Sequence, residues 1–300
     1  MEITIEFKQK VVAALKDVRS RYGGSDEDFA RQYGINKSVW NRLKNGETEK
    51  LIKDTQWLTI GRHLNVTLNE RVWNLARTEV FTAIENDVEF CQLHSKAMTL
   101  VDDCGIGKTF TGKYLSKTLK NCFYIDASQC KTKHLFVRAL ARAVGADGTG
   151  KLYDVKENTK YYLRMLHKPI VIIDEAGDMD YSVELEIKEY WNATEGVCGW
   201  YRMGAEGLKA KIEKGINGKK VGYRENLSRY GDKFLKIVPV EQSQELDFYK
   251  KLLNDVLSVN IKNKSLLPQL ILKCLVRDDK GKLLGGLRRA ETLLILNDVA

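Results

Sequence analysis

The sequence predicts an α/β protein: a three-layer domain built on a parallel sheet, preceded by a small all-α domain and followed by a helical lid. Two observations carry that prediction. Between Lys96 and Val240 short apolar runs alternate with helical patterns, as parallel strands joined by crossover helices require. Before about Leu64 and after Val240 the pattern is helical only. The domains expected are 1–70, 71–240 and 241–300.

The elements follow in order. Phe7 to Val18 has apolar residues at helical spacing, and Ser25 caps a helix over Asp26–Tyr33 that Gly34 ends. Asn36 caps another that stops at Asn45-Gly46. A polar stretch holding Asn65, Asn69 and Asn74 marks the boundary before a helix from Thr78 to His94. Strands are expected at Lys96–Val101, Cys122–Asp126, Ile170–Asp174, Val197–Met203 and Phe234–Val240. The lid helices are Leu246–Val256, Leu266–Leu275 and Gly286–Leu296.

Composition narrows the class. A hydrophobic content of 43% over 300 residues is ample for packed cores, and the formal charge of +9 favours a polyanionic partner. The six cysteines form no Cys-x-x-Cys pair and do not cluster with the four histidines, so reduced thiols in a cytoplasm are expected. Glu2 and Glu6 precede any long apolar run, and Leu266–Val276 is short and interrupted, so no membrane partner is expected.

The chemistry begins at Asp102-Asp103-Cys104-Gly105-Ile106-Gly107-Lys108-Thr109, between an expected strand and an expected helix. Such a loop turns backbone N–H groups toward phosphate oxygens, Lys108 reaches the β- and γ-phosphates, and the Thr109 hydroxyl ligands Mg²⁺. Cys104, Gly105, Ile106, Gly107, Lys108, Thr109 and Phe110 are therefore the expected ATP contacts. Asp102 departs from the pattern, which wants glycine there. The run Ile170–Ile173 ends in Asp174 and Glu175, as a buried strand does when its C-terminal edge meets a ligand. Asp174 would hold the metal with Thr109, and Glu175 would polarise the attacking water.

Phosphoryl transfer often needs an arginine from elsewhere. Arg224 and Arg229, before the last expected strand, and the adjacent Arg288 and Arg289 in the lid are the candidates, against the alternative of ordinary surface arginines.

Phe29 to Gly46 resembles the helix-turn-helix of phage-repressor-like domains: Ala30 permits close helix crossing, Gly34 the turn, and Ile35, Trp40 and Leu43 the packing. Lys37, Ser38, Asn41, Arg42 and Lys44 are left facing outward, as a DNA-reading helix requires; a solvated face of a protein-docking module is the alternative. Lys131 and Lys133, and the group from Lys209 to Lys220, are further candidate phosphate contacts.

Together these stretches, with Ile172 to Met179 and Met203 to Leu208, resemble the AAA+ ATPases, and more narrowly the Mu B and TniB-like ATPases of DNA transposition. The resemblance implies a P-loop NTPase fold using ATP and Mg²⁺, with Lys108 and Thr109 as the Walker A pair and Asp174 and Glu175 as the Walker B pair. It implies Arg224 or Arg229 as a trans arginine finger and Arg288 as a lid sensor. It further implies ATP-dependent homo-oligomers on double-stranded DNA, largely sequence-independent, and a transposase partner. The competing expectations are a phage or plasmid helicase loader and a nucleotide-switched transcriptional regulator.

Overall fold

A computed structural model describes residues 3–22, 25–64, 66–68, 73–279, 283–284 and 286–298. Glu2, Asn65, Asn69, the expected boundary at 70–71 and Gly285 lie outside them. The first elements are α1 (Ile5–Arg21), α2 (Asp26–Gln32), α3 (Lys37–Lys44), α4 (Asp54–His63) and α5 (Glu79–His94). Then come β1 (Ala97–Val101), α6 (Lys108–Thr118), β2 (Cys122–Asp126), α7 (Lys133–Val144), α8 (Leu152–Met165) and β3 (Ile170–Asp174). They are followed by α9 (Tyr181–Ala193), β4 (Gly199–Gly204), α10 (Glu206–Asn217) and α11 (Tyr223–Arg229). Last are α12 (Gln242–Asn260), α13 (Leu267–Cys274), β5 (Val276–Arg277), β6 (Leu283–Leu284) and α14 (Gly286–Asp298). The chain divides into two compact units, 1–72 with 134–165, and 73–133 with 166–300.

In the first unit, side chains cap the helices where the sequence places them. Ser25 accepts from the Asp28 N–H at 3.1 Å and Asn36 from the Val39 N–H at 2.8 Å. Gly34 takes φ +67° in the turn between α2 and α3, a conformation that side-chain-bearing residues disfavour. Phe29, Ala30, Ile35, Trp40 and Leu43 are buried with Trp57 and Ile60 of α4, and the Phe29 and Trp40 rings lie 4.9 Å apart. Asp26 ties the layers together, accepting from Lys44 at 2.5 Å and Arg19 at 2.6 Å. The Lys44 and Arg19 hydrogen bonds hold its carboxyl at about 2.

The second unit is built on a four-stranded parallel sheet of order β1-β4-β3-β2. Alternation along the strands sends Leu100, Ile170, Ile172, Tyr201 and Met203 into one core with Val80, Ile84 and Val88 of α5. Each fully buried aliphatic side chain there contributes roughly 2 kcal/mol. On the opposite face Arg202 of β4 is buried. It donates to Thr99 Oγ1 at 2.7 Å, approaches Glu184 of α9 at 3.5 Å, and lies over the Tyr230 ring at 4.0 Å. This sheet with its surrounding helices is the α/β P-loop NTPase fold that the sequence predicts. Lid helices α12, α13 and α14 bury Leu253, Leu257, Leu270, Cys274, Ala290 and Leu294 against one another.

Three expectations change. Phe234–Val240 is not a strand: only Leu235 bridges Leu100, its N–H donating to the Thr99 carbonyl at 2.8 Å. Two of the backbone donors that follow, those of Ile237 and Val238, are taken by the Asp102 carboxylate instead. The tail after Val240 is not wholly helical, because β5 and β6 pair antiparallel. Two-residue strands are too short to leave a period-two signal. Leu266–Leu275 begins as a 3₁₀ turn over Lys264–Leu266 and becomes α-helical at Leu267, with Pro268 in its first turn.

Candidate nucleotide site

The loop between β1 and α6 is shaped by its glycines. Gly105 has φ +74° and Gly107 φ +105°, both left-handed. They bring the chain round so that α6 starts at Lys108, and no side chain caps its first N–H groups. The positive end of an eleven-residue helix dipole therefore sits at the loop. Anions bind such termini through the free N–H groups.

A cavity of about 520 Å³ opens there. It is lined by every residue expected to touch ATP: Cys104, Gly105, Ile106, Gly107, Lys108, Thr109, Phe110 and Arg288. Lys108 is itself buried, and its ammonium donates to the carbonyls of Asp102 at 2.8 Å and Asp103 at 2.5 Å. Burial pushes that ammonium below the usual lysine range, and nearby acidic groups, Asp102, Asp174 and Glu175 among them, oppose the shift.

Glu175 reaches the same cavity from the end of β3. Its backbone is left-handed, with φ +50°. Such a conformation costs about 1 kcal/mol or more in a residue with a Cβ and turns the side chain out of the strand direction. Burial raises its carboxyl above the usual range, Asp174 adds to the rise, and Lys108 and Arg288 oppose it. Asp174 is buried one residue deeper. Its Oδ2 accepts from the Tyr124 hydroxyl at 2.8 Å and its Oδ1 from the Glu175 N–H at 2.9 Å. Both contacts fix the carboxylate plane and leave lone pairs on both oxygens. Burial, with the Asp174 charge next, pushes the Tyr124 hydroxyl well above its ordinary range, so it stays a donor.

Thr109 and Asp174 offer a hydroxyl and a carboxylate, hard oxygen donors of the kind Mg²⁺ takes alongside phosphate. Among the described residues no group of three or more His, Cys, Asp or Glu could hold a metal.

The arginine candidates on α11 do not line this cavity. Arg224 pairs with Asp232, whereas Arg229 donates to Asn192 at 2.7 and 3.0 Å and to the Glu225 carbonyl at 2.9 Å, with its guanidinium over Trp191. In the first unit Lys37, Ser38, Asn41 and Arg42 are exposed on α3, while Lys44 is partly covered by its pairing with Asp26. Arg42 is in an ion pair with Glu47 at 2.8 Å. Lys131 pairs with Asp178 at 2.7 Å and Lys133 with the buried Glu186 at 2.5 Å. Lys211 turns inward to the carbonyls of Gly177 and Met179.

Sequence reasoning missed the apolar half of the cavity, Trp73, Phe81, Val256 and Leu287, and the acidic Glu291. No motif spacing ties these positions together, since they come from before β1 and from the lid. The sequence placed Phe81 and Val256 only inside expected helices, Thr78–His94 and Leu246–Val256.

Residues 92–209 match the AAA domain family, a span from the end of α5 into α10 that holds the loop and the acidic strand end. Fold, cavity and match together support a P-loop ATPase. No curated protein matches the chain. Among the described residues, no helix is long and apolar enough to cross a membrane.

Proposed function

We propose that this protein is a Mg²⁺-dependent ATPase that binds double-stranded DNA, assembles on it as a homo-oligomer when ATP is bound, and delivers that DNA to a transposase. The observation that carries the reading is the convergence of Lys108, Glu175 and Arg288 on one cavity at an uncapped helix N-terminus. Lys108 and the α6 N–H groups bind phosphate charge, Arg288 adds a cation from the lid, and Glu175 takes the proton of the attacking water. Thr109 and Asp174 would hold Mg²⁺, which supplies charge neutralisation at the phosphates. In an oligomer, Arg224 or Arg229 reaches a neighbour's nucleotide, so ATP joins subunits and multiplies weak DNA contacts. The exposed cations of α3 support the DNA half, through phosphate contacts that need no particular sequence.

The test is electron microscopy and filter binding of the full chain on unrelated duplexes, with MgATP, MgADP or no nucleotide, beside Lys108→Ala. Dense ATP-dependent coating that Lys108→Ala abolishes is expected. Equal, sparse binding in every condition overturns the assembly. Confinement to one operator favours a regulator, and preference for single strands a helicase loader.

A further inference from the structure

Asp102 occupies the position where the phosphate-loop pattern has glycine, and it is almost wholly buried, at 1% exposure. Burying a carboxylate is costly unless its oxygens are satisfied. Here they are satisfied by backbone: Oδ1 accepts from the Asp103 N–H at 2.9 Å, and Oδ2 from the N–H groups of Ile237 at 2.6 Å and Val238 at 3.0 Å. Ile237 and Val238 lie in the irregular segment between α11 and α12, where the sheet domain gives way to the lid. No glycine could make this connection.

Two neighbouring loop residues reach the lid itself. Asp103 Oδ2 accepts from the hydroxyl of Tyr249 on α12 at 3.0 Å. The Gly105 carbonyl accepts from the N–H of Leu287 at the start of α14, at 2.8 Å. The approach at α14 is so close that a Cβ on Gly286 would sit 2.8 Å from the Gly105 carbonyl oxygen. Meanwhile the carbonyls of Asp102 and Asp103 hold the Lys108 ammonium. The two residues thus face both ways: their backbone holds the phosphate-binding lysine, and their side chains hold the hinge and α12.

We propose that Asp102 and Asp103 are positioning residues that latch the phosphate loop to the lid and its hinge, making nucleotide occupancy and lid position one coupled equilibrium. The proposal rests on the nucleotide-site reading above. A phosphate that draws Lys108 from the two carbonyls acts on the same residues that grip Ile237, Val238 and Tyr249, so loop and lid settle together. Arg288, next to the Leu287 N–H, is carried to the cavity by that settling.

The test is hydrogen–deuterium exchange on the full chain, free, with MgADP and with MgATP, alongside fluorescent ADP release and steady-state turnover. The variants are Asp102→Asn and Tyr249→Phe. Asparagine keeps the shape but replaces one accepting oxygen with an amide donor. It should speed exchange at Ile237 and Val238 and speed ADP release, each about tenfold, and raise KM while kcat changes less than threefold. Tyr249→Phe should give about threefold on ADP release. In the wild-type chain nucleotide should deepen protection at Ile237 and Val238. Normal nucleotide binding with unchanged exchange in Asp102→Asn, or with no nucleotide effect on those two amides, overturns the latch and leaves the ATPase reading standing. If Asp102→Asn does not fold, wild-type ADP release in Tyr249→Phe overturns it. Failure of the wild-type chain to bind any nucleotide overturns the site reading and the latch with it.

Discussion

Lys108 is buried at the head of α6 and donates to two backbone carbonyls, whereas Lys37 and Arg42 stand exposed on α3, Arg42 already paired with Glu47. Both regions are cationic, yet they differ in what the surroundings have invested. At Lys108 a helix dipole, two left-handed glycines and a desolvated ammonium are arranged around one cavity. On α3 the cations lie in water, where ion pairs are worth little and phosphate attraction is screened by salt. Preorganisation therefore argues for a built ligand site in the first region, and for no more than a solvated cationic face in the second.

The sharpest break in that comparison is Glu175→Gln. It should lower kcat by about 10²- to 10³-fold while ATP affinity stays within about threefold. The pH profile sharpens it further. As a general base Glu175 would work ionised, and its carboxyl is raised by burial and by Asp174. Wild-type turnover should accordingly fall with decreasing pH already above the usual glutamate value of about 4.3, while residual turnover of the variant stays flat there. A wild-type acid limb at or below that value removes Glu175 from the role.

Next in size is the arginine proposed to act between subunits. Arg224→Ala or Arg229→Ala, whichever removes it, should lower ATP turnover of the DNA-bound protein on the order of 10²-fold. Mixing that variant with Lys108→Ala should restore turnover, because one chain then supplies the phosphate site and the other the arginine. No restoration with either excludes a trans arginine on α11.

The smallest effects lie on α3. Lys37→Ala and Arg42→Ala should each weaken duplex binding on all sequences and reduce the salt slope by about 1, read from binding across a salt series. Lys44→Ala should act on stability instead, because Lys44 clamps Asp26. The Asp26 carboxyl is depressed to about 2 against an unfolded value near 3.9, so the clamp's contribution is complete above about pH 4. Thermal melts of wild type and Lys44→Ala should differ there and converge as pH falls to about 2. A salt slope unchanged in both Lys37→Ala and Arg42→Ala overturns DNA binding through α3.

Much of this was legible because it is local. Gly-Ile-Gly-Lys-Thr fixes a loop through glycine φ angles and a helix start through the next residue, and Ile170–Ile173 is apolar at every position because both its faces are covered. The caps Ser25 and Asn36 were readable for the same reason: their hydrogen bonds span three residues. Phe234–Val240 failed as a strand because its donors are claimed by Asp102, 135 residues earlier in the chain. Trp73 joins Val256 and Leu287 at the cavity from still farther away in the chain, a separation no window contains.

By itself the sequence determined which backbone conformations were possible and which faces would be apolar, since short-range sterics and periodicity decide those, and it named the groups able to contact phosphate. Only the tertiary structure decided how each charge is spent. Lys44, Lys133 and Lys211 are drawn into structural contacts, Lys108 and Arg288 meet at a cavity, and Asp102 turns its carboxylate onto two backbone amides between α11 and α12. The reason is physical: a charged group's role follows from its desolvation and its nearest partners, and folding brings those from anywhere in the chain.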